Sequence, residues 1–263
     1  MQAKVISLTD RAPYTLTAQI GRIRPGTPLE VQQGVDLRRV STDTLLRQGF
    51  LTHSAAWSIK HGRRWHHELS SAGALGLAHA VRLALEDDPT RPLLLMEDDC
   101  HITDETRFRE DLDTLLLNTD AFDLAVFGLR DKSGTATRPV SVLPPGWYHV
   151  DDQFFLLHCV LYSPRGRVVA AEHLRQPLDM QIDSLYASLA SIGELRIWGQ
   201  AHNRTAVQRV HVSSLQEFGG CLLCDGVRSP VVIAVPVGIA AAVLIAYCLH
   251  VHRRSTADRT RAP

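Results

Sequence analysis

The chain has 263 residues, 45% of them hydrophobic, and its 28 Lys and Arg residues balance its 28 Asp and Glu residues. This length and apolar content are enough for one large globular domain or two small ones. The balanced charge provides no strong positive field, which argues against a nucleic-acid-binding protein. Five cysteines, widely scattered, exclude a disulfide scaffold.

Apolar runs alternate with amphipathic segments through most of the chain. The runs predict strands at 5–8, 29–31, 93–96, 122–127, 154–162 and 195–198. The spacing of apolar residues and the cap residues predict helices at 74–86, 103–117, 163–174 and 182–192. Such alternation predicts an α/β domain with a mixed sheet. Residues 52–67 are expected to form a loop or an irregular helix, and residues 131–146 a long loop that is a candidate lid.

A long apolar segment near the C-terminus predicts a membrane anchor. Residues 231–249 contain no charged side chain, and in a helix they would span roughly 28 Å, close to the hydrocarbon thickness of a bilayer. We therefore expect a domain at 1–220, a juxtamembrane linker at 221–230, a single transmembrane helix at 231–251 and a basic tail at 252–263. The basic tail indicates a cytoplasmic C-terminus, whereas no secretory signal peptide is visible. These indications conflict, so the side of the membrane that holds the domain stays open.

Three consecutive acids follow one predicted strand. Glu97-Asp98-Asp99 comes directly after the apolar run at 93–96, and in open α/β sheets ligands bind beyond the carboxyl ends of strands. Neighbouring carboxylates repel one another unless a cation compensates their charge. A divalent ion together with the phosphates of a nucleotide would do so. The alternative interpretation is a solvated turn whose acids cap the next helix.

Further short motifs occur in a fixed order around these acids. They are residues 5–11, Gly34-Val35-Asp36, residues 73–79, residues 155–166 and Pro177-Leu178-Asp179. Together with the Leu-rich strand before Glu97-Asp98-Asp99, this order resembles glycosyltransferase family 25, the lipopolysaccharide-type galactosyltransferases and collagen galactosyl- and glucosyltransferases. The resemblance covers residues 3–216, and the three acids are its most specific part.

The resemblance implies a GT-A-like, Rossmann-like mixed sheet flanked by helices. It implies transfer of a hexose, galactose or glucose, with inversion, from a UDP-hexose to a hydroxyl of a glycan or protein. Mn²⁺ or another divalent cation would be the cofactor, with Asp98, Asp99 and His211 as metal ligands. Glu97 and Asp98 would contact the nucleotide, and Arg11, after the first strand, would contact a phosphate.

The acceptor side has two candidate carboxylates. Asp179 is the candidate general base that deprotonates the incoming hydroxyl, and its alternative role is to cap the following helix. Asp183 follows four residues later and is expected to share a helix face with Asp179. The basic and aromatic residues at 61–67 suggest a loop near the donor or the acceptor.

A catalytically inactive relative is the alternative function. In the family's helix motif, the segment ending at His79 lacks the usual Cys and Ser and is too short. Such a relative would bind a nucleotide sugar or a partner without transferring the sugar.

Overall fold

A computed structural model describes residues 1–65, 67–131, 138–151, 153–175, 177–201 and 204–208. Its strands are β1 (Gln2–Ser7), β2 (Leu29–Gln33), β3 (Leu93–Glu97), β4 (Cys100–Ile102), β5 (Leu124–Asp131), β6 (Trp147–Val150), β7 (Phe154–Phe155), β8 (Cys159–Tyr162), β9 (Ile197–Ala201) and β10 (Ala206–Gln208). Its helices are α1 (Tyr14–Ile23), α2 (Thr42–Arg47), α3 (His53–His61), α4 (Ala72–Glu86), α5 (Glu105–Leu117), α6 (Pro164–His173) and α7 (Ile182–Ser191).

One mixed sheet organises the domain. Its strands lie side by side in the order β2-β1-β3-β8-β5-β9-β6, with β7 paired to β5. Strand β1 is parallel to both β2 and β3, whereas β8 runs antiparallel between β3 and β5. A separate ribbon pairs β4 with β10. The predicted α/β domain with a mixed, Rossmann-like sheet flanked by helices is therefore confirmed.

Helices cover both faces of the sheet, which is why the central strands read as continuous apolar runs. On one face, side chains of α1 and α5 pack against alternate residues of the strands, and Phe108 lies 4.4 Å from Phe127 between ring centroids. Both rings are fully buried, and each such burial contributes roughly 1.5–3 kcal/mol. The other face is covered by α2, α3, α4, α6 and α7.

The connection from β1 to β2 and the connection from β2 to β3 lie on opposite faces of the sheet, and this creates a crevice. Helix α1 leads from β1 to β2 on one side, and α2, α3 and α4 then lead to β3 on the other side of β1. Because α1 and α4 belong to opposite faces, the carboxyl ends of β1 and β3 meet at a topological switch point. Open α/β sheets bind ligands at such points.

A glycine in α4 lets this helix close against the crevice. The Gly34 N–H donates to the Ser7 carbonyl at 2.7 Å, so the segment after β2 crosses the end of β1. A Cβ atom on Gly76 would overlap the carbonyl oxygen of Val35 in that segment. Helix α4 therefore approaches the segment to a distance that only glycine permits.

Several predicted elements differ from the observed ones. Residues 53–61 form a regular helix, α3, because the Thr52 hydroxyl caps the Ala55 N–H. The strand predicted at 154–162 is divided into β7 and β8, and Leu156 has a positive φ of 78° between them. Helices α1 and α2 and strands β4, β6 and β10 were not predicted. Residues 132–137 of the predicted lid lie outside the described residues.

The predicted linker, transmembrane helix and basic tail at 221–263 also lie outside the described residues. Among the helices that the structure does describe, none is both long and apolar enough to cross a bilayer. The domain boundaries and the membrane anchor therefore stay predictions.

Replacing Gly76 by alanine should destabilise the domain, because the new methyl group collides with the Val35 backbone. We expect a loss of about 1–3 kcal/mol in the free energy of unfolding, measured by urea denaturation. Gly21→Ala is the matched control, since Gly21 is also helical but a Cβ there meets nothing within 4 Å. That variant should gain up to about 1 kcal/mol. Equal effects of the two substitutions would contradict the close contact.

Candidate functional site

The three acids lie at the carboxyl end of β3. Glu97 is the last residue of this strand, and Asp98 and Asp99 form the turn to β4. Glu97 and Asp99 are partly buried, whereas Asp98 is exposed. The Glu97 N–H donates to the carbonyl of His158 at 2.9 Å, which fixes the backbone at this point. The acids therefore begin at a defined position at the carboxyl end of a central strand.

Asp98 faces the crevice at the end of β1. The Ser7 hydroxyl donates to Asp98 Oδ2 at 2.8 Å. The crevice is lined by residues of β1, β3, α4 and the segment after β2, namely Ile6, Ser7, Leu8, Gly34, Val35, Gly73, Leu77, Glu97 and Asp98. Its volume is about 70 Å³, below the roughly 300–1,000 Å³ of pockets that enclose a small molecule. A ligand as large as a nucleotide would lie against this crevice and extend beyond it.

Asp99 binds a different element from Asp98. Asp99 Oδ2 accepts a hydrogen bond from Gln208 Nε2 at 2.9 Å. Gln208 lies on β10, which pairs antiparallel with β4 directly after the acids. The two neighbouring carboxylates are thus held by opposite ends of the described chain, Ser7 near its start and Gln208 at its end.

A fourth carboxyl group belongs to the same cluster. Asp183 lies in the first turn of α7 and is partly buried, and its Oδ1 accepts from the Ser184 N–H at 2.8 Å. It is near enough to Glu97 for its negative charge to raise the pKa of Glu97. The fold therefore brings the first turn of α7 towards the acids at the end of β3.

The environment of this cluster favours protonated carboxyl groups. Burial, followed by the charges of Asp99, Asp98 and Asp183, raises the pKa of Glu97 to about 8. Burial also raises the pKa of Asp183 to about 6, although the Ser184 N–H and the positive charge of Arg63 act in the opposite direction. Acidic groups with raised pKa values are typical of sites that bind a cation or move a proton.

The described residues offer no preformed metal cage. Within the parts of the chain that the structure describes, no three His, Cys, Asp or Glu side chains converge on one point. Asp98 is held by Ser7 and Asp99 by Gln208. The described protein would therefore provide one or two carboxylate ligands to a metal ion. Such a donor set fits a divalent ion that is also bound by phosphate oxygens of its ligand. The residues present therefore fit an ion that arrives with a diphosphate.

The predicted relation between Asp179 and Asp183 is wrong. Helix α7 begins at Ile182 and its N-cap is Gln181, so Asp179 is neither on the helix nor its cap. Asp179 is exposed and lies between two short bridges, Leu178 with Leu51 and Met180 with Glu68. These bridges hold the segment before α7 in an extended conformation, which is why the predicted helical spacing does not apply.

The remaining predicted residues are dispersed. Arg11 is exposed in the turn after β1, where its carbonyl accepts from the Thr9 hydroxyl at 3.0 Å. Because β1 is parallel to β3, Arg11 lies at the same end of the strands as the acids. The ring of His79 packs edge-on against Phe50 at 6.4 Å between centroids. His211 lies outside the described residues.

The sequence interpretation missed Ser7 and Gln208, whereas Arg63 belongs to the basic and aromatic segment at 61–67 that it singled out. Ser7 is a single polar residue at the end of an apolar strand, which is a weak signal. Gln208 reaches Asp99 from 109 positions away, and no local pattern indicates such a pairing.

No protein-family model matches this chain, and no curated protein matches it. Among solved structures it is similar to a UDP-glucose pyrophosphorylase complexed with UDP-glucose, at 13% identity, 78% coverage of this chain, 92% of that chain and a TM-score of 0.43. A UDP-glucose pyrophosphorylase from Acinetobacter baumannii has 9% identity, 79% and 87% coverage and a TM-score of 0.43. A putative glucose-1-phosphate thymidylyltransferase from Bacillus anthracis, in complex with a sucrose, has 10% identity, 76% and 87% coverage and a TM-score of 0.39. Similarity at this level leaves the function to be argued from the side chains of this chain.

Glu97→Gln should make the domain less sensitive to pH. The folded protein retains a proton on Glu97 up to about pH 8, whereas an unfolded chain releases it near pH 4.3. Wild-type stability therefore falls as pH rises between these values, by up to about 1.4 kcal/mol per pH unit for one group. Urea denaturation between about pH 5 and about pH 8 should show the variant gaining stability relative to wild type as pH rises.

Glu110→Gln is the matched control, because Glu110 is exposed on α5. Its stability difference from wild type should not change over the same pH range. A difference between Glu97→Gln and wild type that is constant with pH would show that the surroundings of Glu97 do not disfavour its charged form.

Proposed function

We propose that this chain is a metal-assisted glycosyltransferase of the GT-A type that moves a hexose, galactose or glucose, from a UDP-hexose to a hydroxyl of a glycan or protein, with inversion. The observation that carries the proposal is the position of Glu97 and Asp98. They line the crevice at the switch point between β1 and β3, where open α/β sheets bind their ligands. The resemblance to glycosyltransferase family 25 rests on the same acids.

The diphosphate of the donor would lie over this crevice. The first turn of α4 borders it at Gly73, and N–H groups in the first turn of a helix attract anions. Arg11, exposed after β1, is the proposed phosphate contact. The Ser7 hydroxyl fixes Asp98 beside the phosphates, and Glu97, protonated at neutral pH, can donate a hydrogen bond to the nucleotide.

Asp98 and Asp99 are the proposed ligands of Mn²⁺ or another divalent ion, and His211 is the proposed additional ligand. A bound divalent ion supplies positive charge that stabilises the diphosphate leaving group. Gln208 holds the Asp99 carboxylate in place before the donor binds. Since the carboxylates alone repel one another, the ion and the donor should bind together.

Asp183 is the stronger candidate for the general base. Its pKa of about 6 leaves it largely ionised at neutral pH and close to the strength that proton transfer requires. It also belongs to the same cluster as Glu97, whereas Asp179 is exposed outside α7. Asp179 stays the second candidate, because it lies on the segment that leads directly into this helix.

The apolar segment at 231–251 is the proposed single-pass membrane anchor, and the orientation of the domain stays open. The anchor would hold the enzyme beside membrane-associated acceptors.

A catalytically inactive relative is the second candidate function. It is favoured by the contact of His79 with Phe50, because the altered helix motif places this histidine against an aromatic ring. This candidate predicts donor binding without turnover.

Donor binding should depend on Asp98 and on the metal ion. We expect UDP-galactose or UDP-glucose with Mn²⁺ to raise the melting temperature of the full-length chain in detergent by about 5 °C at a large ligand excess. Asp98→Asn should abolish the shift, because the ion loses a ligand. Asp120→Asn is the matched control, since Asp120 is an exposed acid after α5, and it should retain the shift. No shift with either sugar in the wild type would refute the proposal.

Turnover should depend on Asp183 more than on Asp179. Asp183→Asn should lower the rate of UDP-hexose hydrolysis about 10²–10⁴-fold with the thermal shift retained, because a general base contributes this much. The wild-type rate should rise with pH through about 6, where Asp183 loses its proton. A larger loss in Asp179→Asn would transfer the role to that residue. Wild-type binding without hydrolysis or transfer would support the inactive relative.

A further inference from the structure

An aromatic patch lies at the end of α3. We define it by Trp57, His61, Arg64 and Trp65. The rings of Trp57 and His61 stack at 4.8 Å between centroids, and the Arg64 guanidinium carbon lies 4.1 Å from the centre of the Trp57 ring. Trp65 is 51% exposed and Trp57 is 39% exposed. Two large indoles exposed in one short segment are typical of an interaction site.

The backbone of the aromatic patch is held firmly. The Glu68 carboxylate accepts hydrogen bonds from the N–H groups of both Arg64 and Trp65, the latter at 3.0 Å. Gly62 has a positive φ of 78°, which turns the chain sharply out of α3. Trp65 is therefore presented to solvent from a fixed turn, so little conformational entropy is lost when a ligand binds it.

The aromatic patch is joined to the segment that leads into α7. Glu68 forms a bridge with Met180, and the carbonyl of His67 accepts from the Gln181 N–H at 2.9 Å. Arg63 directly precedes Arg64 of the aromatic patch, and its positive charge acts to lower the pKa of Asp183. The aromatic patch thus lies next to the two candidate bases, Asp179 and Asp183.

The aromatic patch and the nucleotide crevice are separate walls of one region. The crevice is lined by β1, α4, the end of β3 with the turn after it, and the segment after β2, and none of the residues of the aromatic patch belongs to it. If the donor occupies the crevice, the acceptor hydroxyl must reach the acids from the α7 side. The aromatic patch stands on that side.

We propose that the aromatic patch binds the sugar rings of a glycan acceptor and directs a hydroxyl towards Asp183. This inference rests on the proposed function and names the acceptor as a carbohydrate rather than a protein. The C–H faces of a sugar ring are apolar and stack on an indole, while its hydroxyls bond to charged groups such as Arg64. A polyanion fits the aromatic patch less well, because the nearby carboxylates of Glu68, Asp179 and Asp183 would repel it.

The test measures binding of the full-length chain, in detergent, to an array of immobilised glycans. Wild type should bind at least one glycan, and Trp65→Ala should bind it about tenfold more weakly. Trp65→Phe keeps an aromatic face and should stay within about threefold of wild type. Tyr14→Ala is the matched control, because Tyr14 is an 86% exposed aromatic residue on α1, and its binding should equal that of wild type.

Kinetics with the bound glycan as acceptor provide a second readout. Trp65→Ala should raise the acceptor KM about tenfold and change kcat less than about threefold, since the indole contacts the substrate away from the reacting atoms. A fall in kcat with unchanged KM would overturn the assignment. So would a wild type that binds no glycan, or a Trp65→Ala variant that binds as well as wild type.

Two further outcomes separate this inference from its alternatives. A blue shift of indole fluorescence on reconstitution into phosphatidylcholine–phosphatidylserine vesicles that is lost in Trp65→Ala, with glycan binding unchanged, would make the aromatic patch a membrane contact and overturn the inference. Glycan binding that requires Trp65, without UDP-hexose hydrolysis by wild type, would support the carbohydrate site and refute the transferase. The experiments therefore distinguish failure of the carbohydrate site from failure of the transferase.

Discussion

Repulsion among carboxylates at the end of β3 is the constraint that the surrounding contacts must offset. Glu97, Asp98 and Asp99 are consecutive, and burial, followed by the charges of Asp99, Asp98 and Asp183, raises the pKa of Glu97. Separate hydrogen bonds stabilise the two carboxylates that follow Glu97: Ser7 donates to Asp98 and Gln208 donates to Asp99. A hydrogen bond to a charged group contributes about 1.5–3 kcal/mol. The remaining repulsion leaves the cluster receptive to positive charge.

The fold makes this arrangement possible through the route of the chain around β1. Crossovers to opposite sides leave the ends of β1 and β3 uncovered, and Gly76 allows α4 to close one side of the gap. On the α7 side, bridges from Leu51 and Glu68 hold the segment that contains Asp179. The acids thus lie between the crevice beside β1 and the segment that leads into α7.

Local pattern was sufficient to predict the elements that are buried and regular. The apolar run at 93–96 became β3, and Ser71 and Ser163 cap α4 and α6 as their side chains predict. Helix α1 was missed because Pro13 at its N-cap makes no side-chain cap bond, so its start carries no capping signal. Strand β6 was missed because it lies at the sheet edge, in a region rich in turn residues.

The site was predictable only where it is local. The three acids are contiguous, so their position followed from one strand. Asp183 joins them through packing of α7, and the helical relation predicted with Asp179 failed because two β-bridges hold that segment extended. Ser7 and Gln208 come from strands far apart in sequence, and pairing over such separations is not encoded in any short window.

The ribbon of β4 and β10 has a consequence for the order in which the protein matures. Ribosomes release the N-terminal part first, so all strands of the main sheet emerge before Ala206–Gln208. Until that last strand docks, Asp99 has a folded sheet beneath it and no amide beside it. The turn at Asp99 is therefore completed after the main sheet, and a nascent chain that stops before β10 carries the sheet without its finished acid turn.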